Sequence, residues 1–268
     1  GTADVNYPRA RFGHSQSTIG TKIVVFGGYD EIHNRRNDVW SFDTVTNSWS
    51  KLKADDPAGT EDVHYPKKRY YHKQSTVGTK IIIFGGLDST SNRLNDVWSF
   101  DTEGNNWQRL KENNPGSGFP IQRYSNSQSI IGSRIIIFGG VDSNGGFLND
   151  VWSFDTGSNT WTMLKSNNPG GVADINYPVW RHASSQSSVG HRVIIFGGFS
   201  VYNDVWAFDT ISNSWAKLKG NNPIGTENIN YPKKRGYHSQ SSVNNKVIIF
   251  GGYDNNGVQN QDVWSFEP

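Results

Sequence analysis

The chain has 268 residues, a formal net charge of +2 and no cysteine. Disulfides, thiol nucleophiles and thiolate metal sites are excluded, and so small a charge excess gives no nucleic-acid footprint. No apolar run reaches the roughly 18–20 residues of a membrane-spanning helix.

The N-terminal GTADVNYP carries no Met and no visible signal or transit segment, so the sequence reads as processed, trimmed or a fragment of a longer protein. The lack of Cys, of any Asn-x-Ser/Thr sequon and of a signal peptide favours the cytoplasm, with secretion as the alternative. Ten Trp, 14 Phe and 29 Gly point to β-structure with many tight turns.

The first element is a polar, small-residue strand, HSQSTIG (14–20), followed by the apolar run IVVFGG (23–28). That run is hydrophobic on both faces, which suits a strand buried between two layers. The doublet Gly27-Gly28 is expected to end it where positive φ or close backbone approach is needed. A third, alternating strand lies in DVWSF (38–42), a turn in DTVTNSW (43–49) built on Asp43 and Asn47, and a fourth strand begins at Trp49. The same order recurs through the chain. Gly-Gly doublets begin at 27, 85, 139, 197 and 251, a period alternating between 58 and 54. Asp-Val-Trp follows each, and a second Trp follows in four repeats, at Trp49, Trp107, Trp161 and Trp215. No segment has a helical period. One such unit cannot bury two apolar faces alone, but neighbouring units can bury them together.

The apolar run ending in Gly-Gly, the aromatic 13 residues on (nine in the fourth repeat) and the Trp nine further resemble kelch repeats, over nearly the whole chain. The resemblance implies an all-β fold: a five-bladed kelch-type β-propeller with four-stranded blades, occupying 1–268 as a single domain. Its first strands would line a central channel. Kelch repeats serve mostly as protein-binding platforms, and a minority belong to enzymes such as galactose oxidase. The copper cofactor of that enzyme includes a Tyr cross-linked to Cys, and this chain has no Cys.

Closing a ring at the 58-residue spacing leaves the last repeat fourteen residues short, which corresponds to its outer strand. The last blade is therefore expected to lack that strand. Either further repeats belong to the full protein, or 262–268 is an open edge, with Asp262–Phe266 offered to an oligomer or complex partner.

Function on a rigid scaffold concentrates in long loops. Here these are 30–37, 88–95, 142–149, 199–203 and the Tyr-Pro stretches, all on one face. The crossover GTEDVHYPKKRYYHKQS (59–75) matches GTENINYPKKRGYHSQS (225–241) at twelve of seventeen positions. Tyr7, Tyr65, Tyr177 and Tyr231 align in the Tyr-Pro stretches, and Arg11, Arg69, Arg123, Arg181 and Arg235 align in all five repeats. With Tyr70, Trp180 and Tyr237 they form a candidate ligand-binding rim for an acidic peptide, a phosphate-bearing ligand or a sugar. Repetition in every blade favours a competing reading, in which each Arg binds carbonyls or an Asp of its own or the next blade. Gln16, Gln74, Gln128, Gln186 and Gln240 are channel-lining candidates with structural satisfaction as their leading role. His14, His72 and His238 align and are the weak candidates for a metal site, with no carboxylate placed to orient them. The repeated Asp before Val-Trp is expected to bond to neighbouring backbone. No cofactor is implied. The reading is a non-catalytic module for a protein or peptide partner. A carbohydrate-binding propeller, an assembly subunit and, least favoured, a metal-dependent enzyme are its alternatives, and neither membrane nor nucleic acid is expected.

Overall fold

In each repeat the apolar run becomes the second strand of an antiparallel sheet, flanked by the polar strand on one side and the Asp-Val-Trp strand on the other. The computed structural model describes residues 3–56, 64–114, 116–168, 177–199, 202–222, 231–254 and 256–268. The inter-blade stretches 57–63, 169–176 and 223–230, read above as part of the long-loop face, lie outside the described residues. Among the described residues every element is a strand and none is a helix.

The chain divides into two compact units, Gly1–Tyr124 and Ser125–Pro268. The first holds two blades. Blade 1 runs through Ser15–Ile19, Lys22–Asp30, Arg35–Asp43 and Ser48–Lys53, with a short strand Arg11–Phe12 beside the second. Blade 2 runs through Lys73–Val77, Lys80–Phe84, Val97–Asp101 and Asn106–Lys111. The second unit holds three. Blade 3 is Ser127–Ile131, Arg134–Asp142, Phe147–Asp155 and Thr160–Lys165. Blade 4 is Ser185–Val189, Arg192–Gly198, Tyr202–Asp209 and Ser214–Lys219. Blade 5 has three strands, Ser239–Val243, Lys246–Phe250 and Val263–Phe266.

The two-sided apolar runs are buried on both faces, as their pattern requires. Val24, Phe26 and Val39 of blade 1 pack against Ile81, Ile83, Trp98, Phe100 and Trp107 of blade 2. In the second unit Ile136, Phe138 and Val151 meet Val193, Ile195, Trp206, Phe208 and Trp215. Ile194, Phe196 and Val205 then meet Val247 and Ile249. Within each unit the core therefore lies between successive blades, where alternating residues of adjacent sheets interdigitate. Asp43 and Asn47 make the expected turn: the Asp43 carboxylate accepts the Val45 N–H at 2.8 Å, and Asn47 has φ +53°.

The Gly doublet differs from expectation in one respect. In blades 1, 3 and 4 the strand runs through it as a bulge, with register shifts at Phe26/Gly28, Phe138/Gly140 and Phe196/Gly198. Both residues need positive φ, +63° and +101° at Gly27 and Gly28. A Cβ on Gly27 would sit 2.9 Å from the Arg69 carbonyl oxygen, so the doublet admits the backbone of the following repeat.

Candidate functional site

Four of the five aligned arginines enter the structure as internal braces. Arg69 presents Nη1 and Nη2 to the two oxygens of Asp96, both at 2.6 Å, and its Nη1 also donates to Gly85 O at 3.0 Å. The same fork joins Arg11 to Asp38, Arg181 to Asp204 and Arg235 to Asp262. Arg69, Arg123 and Arg235 are fully buried and Arg181 nearly so. Each Asp also accepts Nε1–H of the Trp two residues on, as Asp96 does from Trp98 at 2.9 Å. The Asp residues expected on backbone therefore bond to side chains, because a carboxylate two residues before a buried indole and opposite a guanidinium is best satisfied by both. Burial alone would push the Asp204 carboxyl up; the Arg181 charge and hydrogen bonds override it and hold it below the usual range. Asp262 is likewise held low, chiefly by its bond to Arg235.

The Tyr-Pro stretches are also tied into the framework. The Pro66 carbonyl accepts Asn37 Nδ2–H at 2.8 Å, with the same bond from Asn95 to Pro120, Asn149 to Pro178 and Asn203 to Pro232. Tyr65 and Tyr177 pack at the rim of the interblade cores, while Tyr7 is 39% exposed. A lysine of the outer strand lies over the ring in three repeats: Lys53 on Tyr65, Lys165 on Tyr177 and Lys219 on Tyr231. The Asn before Asp-Val-Trp was legible as a repeated residue in four repeats, but its partner is set only by the fold.

Gln74 Nε2 donates to Ser17 Oγ and to Val24 O, and Gln186 and Gln240 repeat this on the blades before them. Gln16 is exposed and Gln128 half-buried. These bonds stitch inner strand to inner strand. His72 is buried edge-on to Phe26 at 4.9 Å, and His238 Nε2 hydrogen-bonds Ser185 Oγ. Burial, reinforced by Arg69, holds His72 well below its ordinary value of 6.5, and burial lowers His14 in the same way. No group of three His, Asp or Glu arranged for a metal occurs among the described residues.

Surface chemistry lies instead in loop residues that do not repeat. In the first unit, Tyr70 and Tyr71 are 4.7 Å apart between ring centres, Tyr29 lies 5.7 Å from Tyr70, and Tyr124 lies 6.2 Å from Tyr71. Half-exposed Phe12 packs 5.3 Å from Tyr29. The Arg35 guanidinium sits 5.3 Å from both the Tyr29 and Tyr70 rings, and that of Arg93 sits 5.6 Å from Tyr124. Neither has a carboxylate within ion-pair distance among the described residues; Arg35 reaches only Ser91 Oγ, at 3.3 Å. Tyr71 itself stands at φ +54°, a conformation uncommon for a bulky residue. In the second unit the corresponding loop tops carry a column of parallel rings. Trp180 stacks on Phe147 at 4.6 Å, Phe147 on His182 at 5.1 Å and His182 on Phe199 at 4.7 Å. Tyr237 meets Tyr253 edge-on at 6.5 Å. The sequence reading singled out Tyr70, Trp180 and Tyr237 but missed Arg35, Arg93, Phe147 and Phe199. Arg35, Arg93 and Phe147 each stand two residues before the clamping Asn, at a position that changes between repeats.

Five Gly-Gly-centred antiparallel sheets, three of them bulged at the doublet and four carrying the Arg–Asp–Trp brace, are kelch-type β-propeller blades, the last having three strands among the described residues. The family model for the KLHDC2/KLHL20/DRC7 kelch-repeats domain matches residues 2–118, 56–225 and 173–268, and the chain belongs to this kelch-repeat family. It is similar to Kelch domain-containing protein 3 of Bos taurus, 28% identical over 281 residues, covering 96% of this chain and 68% of that protein. It is also similar to Host cell factor of Drosophila melanogaster, 27% identical over 92% of this chain and 16% of that protein. An F-box/kelch-repeat protein of Arabidopsis thaliana is 26% identical over 97% of this chain and 55% of its own length.

Proposed function

We propose that the chain is a non-catalytic protein-interaction module that takes an acidic peptide segment on the loop face of its first unit. One observation carries the reading: among the described residues Arg35 and Arg93 are held over tyrosine faces with no carboxylate beside them, whereas four of the repeated arginines are neutralised internally. A guanidinium stacked on an aromatic face keeps its edge N–H groups for a ligand anion, and the tyrosines add flat contact area at low entropic cost. Its kelch relatives support a protein partner. The test is fluorescence anisotropy with acidic and charge-neutral peptide pools against the protein and its Arg35→Ala/Arg93→Ala variant. Binding of the acidic pool should fall at least about tenfold in the double variant, in line with loss of charged hydrogen bonds. Equal binding by both proteins removes the reading.

A second reading rests on the ring column Trp180–Phe147–His182–Phe199. Phe147 and Phe199 are 39% and 51% exposed, and a flat apolar face of this kind suits a sugar ring. Phe199→Ala should then abolish retention on an immobilised glycan while leaving acidic-peptide binding intact.

A further inference from the structure

Four of the loops that follow the second strand share one turn. Asp88 Oδ1 accepts the backbone N–H groups of Thr90 and Asn92, both at 2.9 Å, and Asp30, Asp142 and Asp254 repeat the pattern. The third residue after each Asp stands at positive φ: His33 at +65°, Ser91 at +64°, Gly145 at +82° and Gly257 at +74°. Glycine takes this conformation freely, whereas a residue with a Cβ is strained in it. A side chain kept at such a position is expected to do something that glycine cannot.

The Ser91 side chain reaches the neighbouring loop of the same unit. Arg35 Nη2 donates to Ser91 Oγ at 3.3 Å, the one hydrogen bond of the Arg35 side chain among the described residues, and Arg35 Nε has no partner there. Because Oγ accepts, the Ser91 hydroxyl proton is left free on an exposed loop tip. The adjacent Thr90 hydroxyl is committed instead: it donates to Asp88 Oδ1 at 2.9 Å and accepts from Asn92 Nδ2 at 2.7 Å. The acid of this loop is also answered, since Asp88 Oδ2 lies 3.3 Å from both Lys67 Nζ and Asn92 Nδ2. Ser91 is thus the exposed hydroxyl of the loop that already touches a guanidinium with no carboxylate of its own.

We propose that Ser91 is a phosphorylation site whose phosphoryl group, held by Arg35, closes the acidic-peptide site; this rests on the reading of Arg35 and Arg93 given above. A serine kinase transfers the terminal phosphoryl group of a nucleoside triphosphate. The Oγ–P bond forms, the bond to the β-phosphate breaks, and the hydroxyl proton passes to the kinase's base. The group then brings close to two negative charges and three acceptor oxygens to the guanidinium edge that a peptide carboxylate would use. Being tethered, it competes at an effective concentration on the order of millimolar, whatever the concentration of free peptide.

The chain is incubated with magnesium ATP and a panel of serine kinases, and phosphate is located by mass spectrometry; Ser91 should be labelled ahead of Ser89 and Thr90. A chain with phosphoserine built in at Ser91 is then read in two ways. By phosphorus NMR its phosphate should titrate below the ordinary value of about 6, and Arg35→Ala should return it to that value. By fluorescence anisotropy the acidic peptide pool should bind it at least about tenfold more weakly than the unmodified chain, the loss of charged hydrogen bonds expected at Arg35. Should the unmodified chain bind no acidic peptide, the reading of the site fails, and the phosphate titration alone supports or overturns capture by Arg35. Three results overturn the proposal: label on other residues only, a phosphate that titrates as in a free peptide, or a captured phosphate that leaves peptide binding unchanged.

Discussion

The loop tops of the two units stand on nearly the same sheets yet carry opposite chemistry. The first offers cations laid on tyrosines; the second offers a stack of uncharged rings. Beneath both, the Arg–Asp–Trp brace and the Asn–Pro clamp each recur in four repeats, and the Gln stitch in three. Residues that repeat hold the blades together, and residues that change at a fixed position within the repeat decide what the surface can meet. The aligned arginines, the most conspicuous cations in the sequence, belong to the first group, and Arg35 and Arg93 belong to the second.

Breaking the shared part should have the largest effect. Asp96→Ala leaves Arg69 charged and fully buried without its partner, and the denaturant midpoint should report a loss of about 3–5 kcal/mol. A loss below about 1 kcal/mol would mean that the brace is not what holds the blade. Asn149→Ala should cost less, about 1–3 kcal/mol, because it unties the Pro178 carbonyl and the Asn168 N–H together. Urea titration of the variant against wild type distinguishes the two sizes.

Protonation sharpens the comparison between interior and surface. His72 is held below its ordinary value of 6.5, so the unfolded chain takes up a proton that the folded chain refuses. Stability is then whole above pH 6.5 and declines below it, by up to about 1.4 kcal/mol per pH unit for this residue. His72→Asn, the residue that stands at Asn126 in the next repeat, should flatten the slope between pH 6.5 and 5 in thermal melts. Asp204 and Asp262 act in a lower window: their contribution is present above the ordinary carboxylate value of 3.8 and disappears as pH falls through their lowered folded values. The smallest effect belongs to the surface. Arg35→Ala and Phe199→Ala should each shift stability by no more than about 0.5 kcal/mol. A larger loss in either would show that it is a strut rather than a contact residue.

The framework was legible because every blade states it again: the period, the two-sided apolar run, the Asp-Asn turn and the Gly doublet each follow from local pattern. The pairing of Arg69 with Asp96 was open, because the two are 27 residues apart and only the crossing of the sheet brings the fork onto the carboxylate. The bulge was hidden for a similar reason, since what Gly27 admits is the carbonyl of Arg69 in the next repeat. Arg35 recurs once, as Arg93, and Phe147 not at all, so a search for residues common to every repeat passes over them.

The hydrogen bonds from Gly28, Gly86, Gly140 and Gly198 N–H to the carbonyls of Arg69, Arg123, Arg181 and Arg235 in the following repeats have a consequence for how such a chain grows. The segment that closes a blade's bulge is encoded some forty residues downstream, at the start of the following repeat. A duplication that copies one whole period, wherever it begins, delivers a glycine and an arginine together and leaves no amide without its carbonyl. A duplication cut to the visible boundaries of one sheet would do the opposite. Whole-period copying is therefore the length change this architecture tolerates best, and the near-identity of 59–75 and 225–241 is what such a history would leave behind.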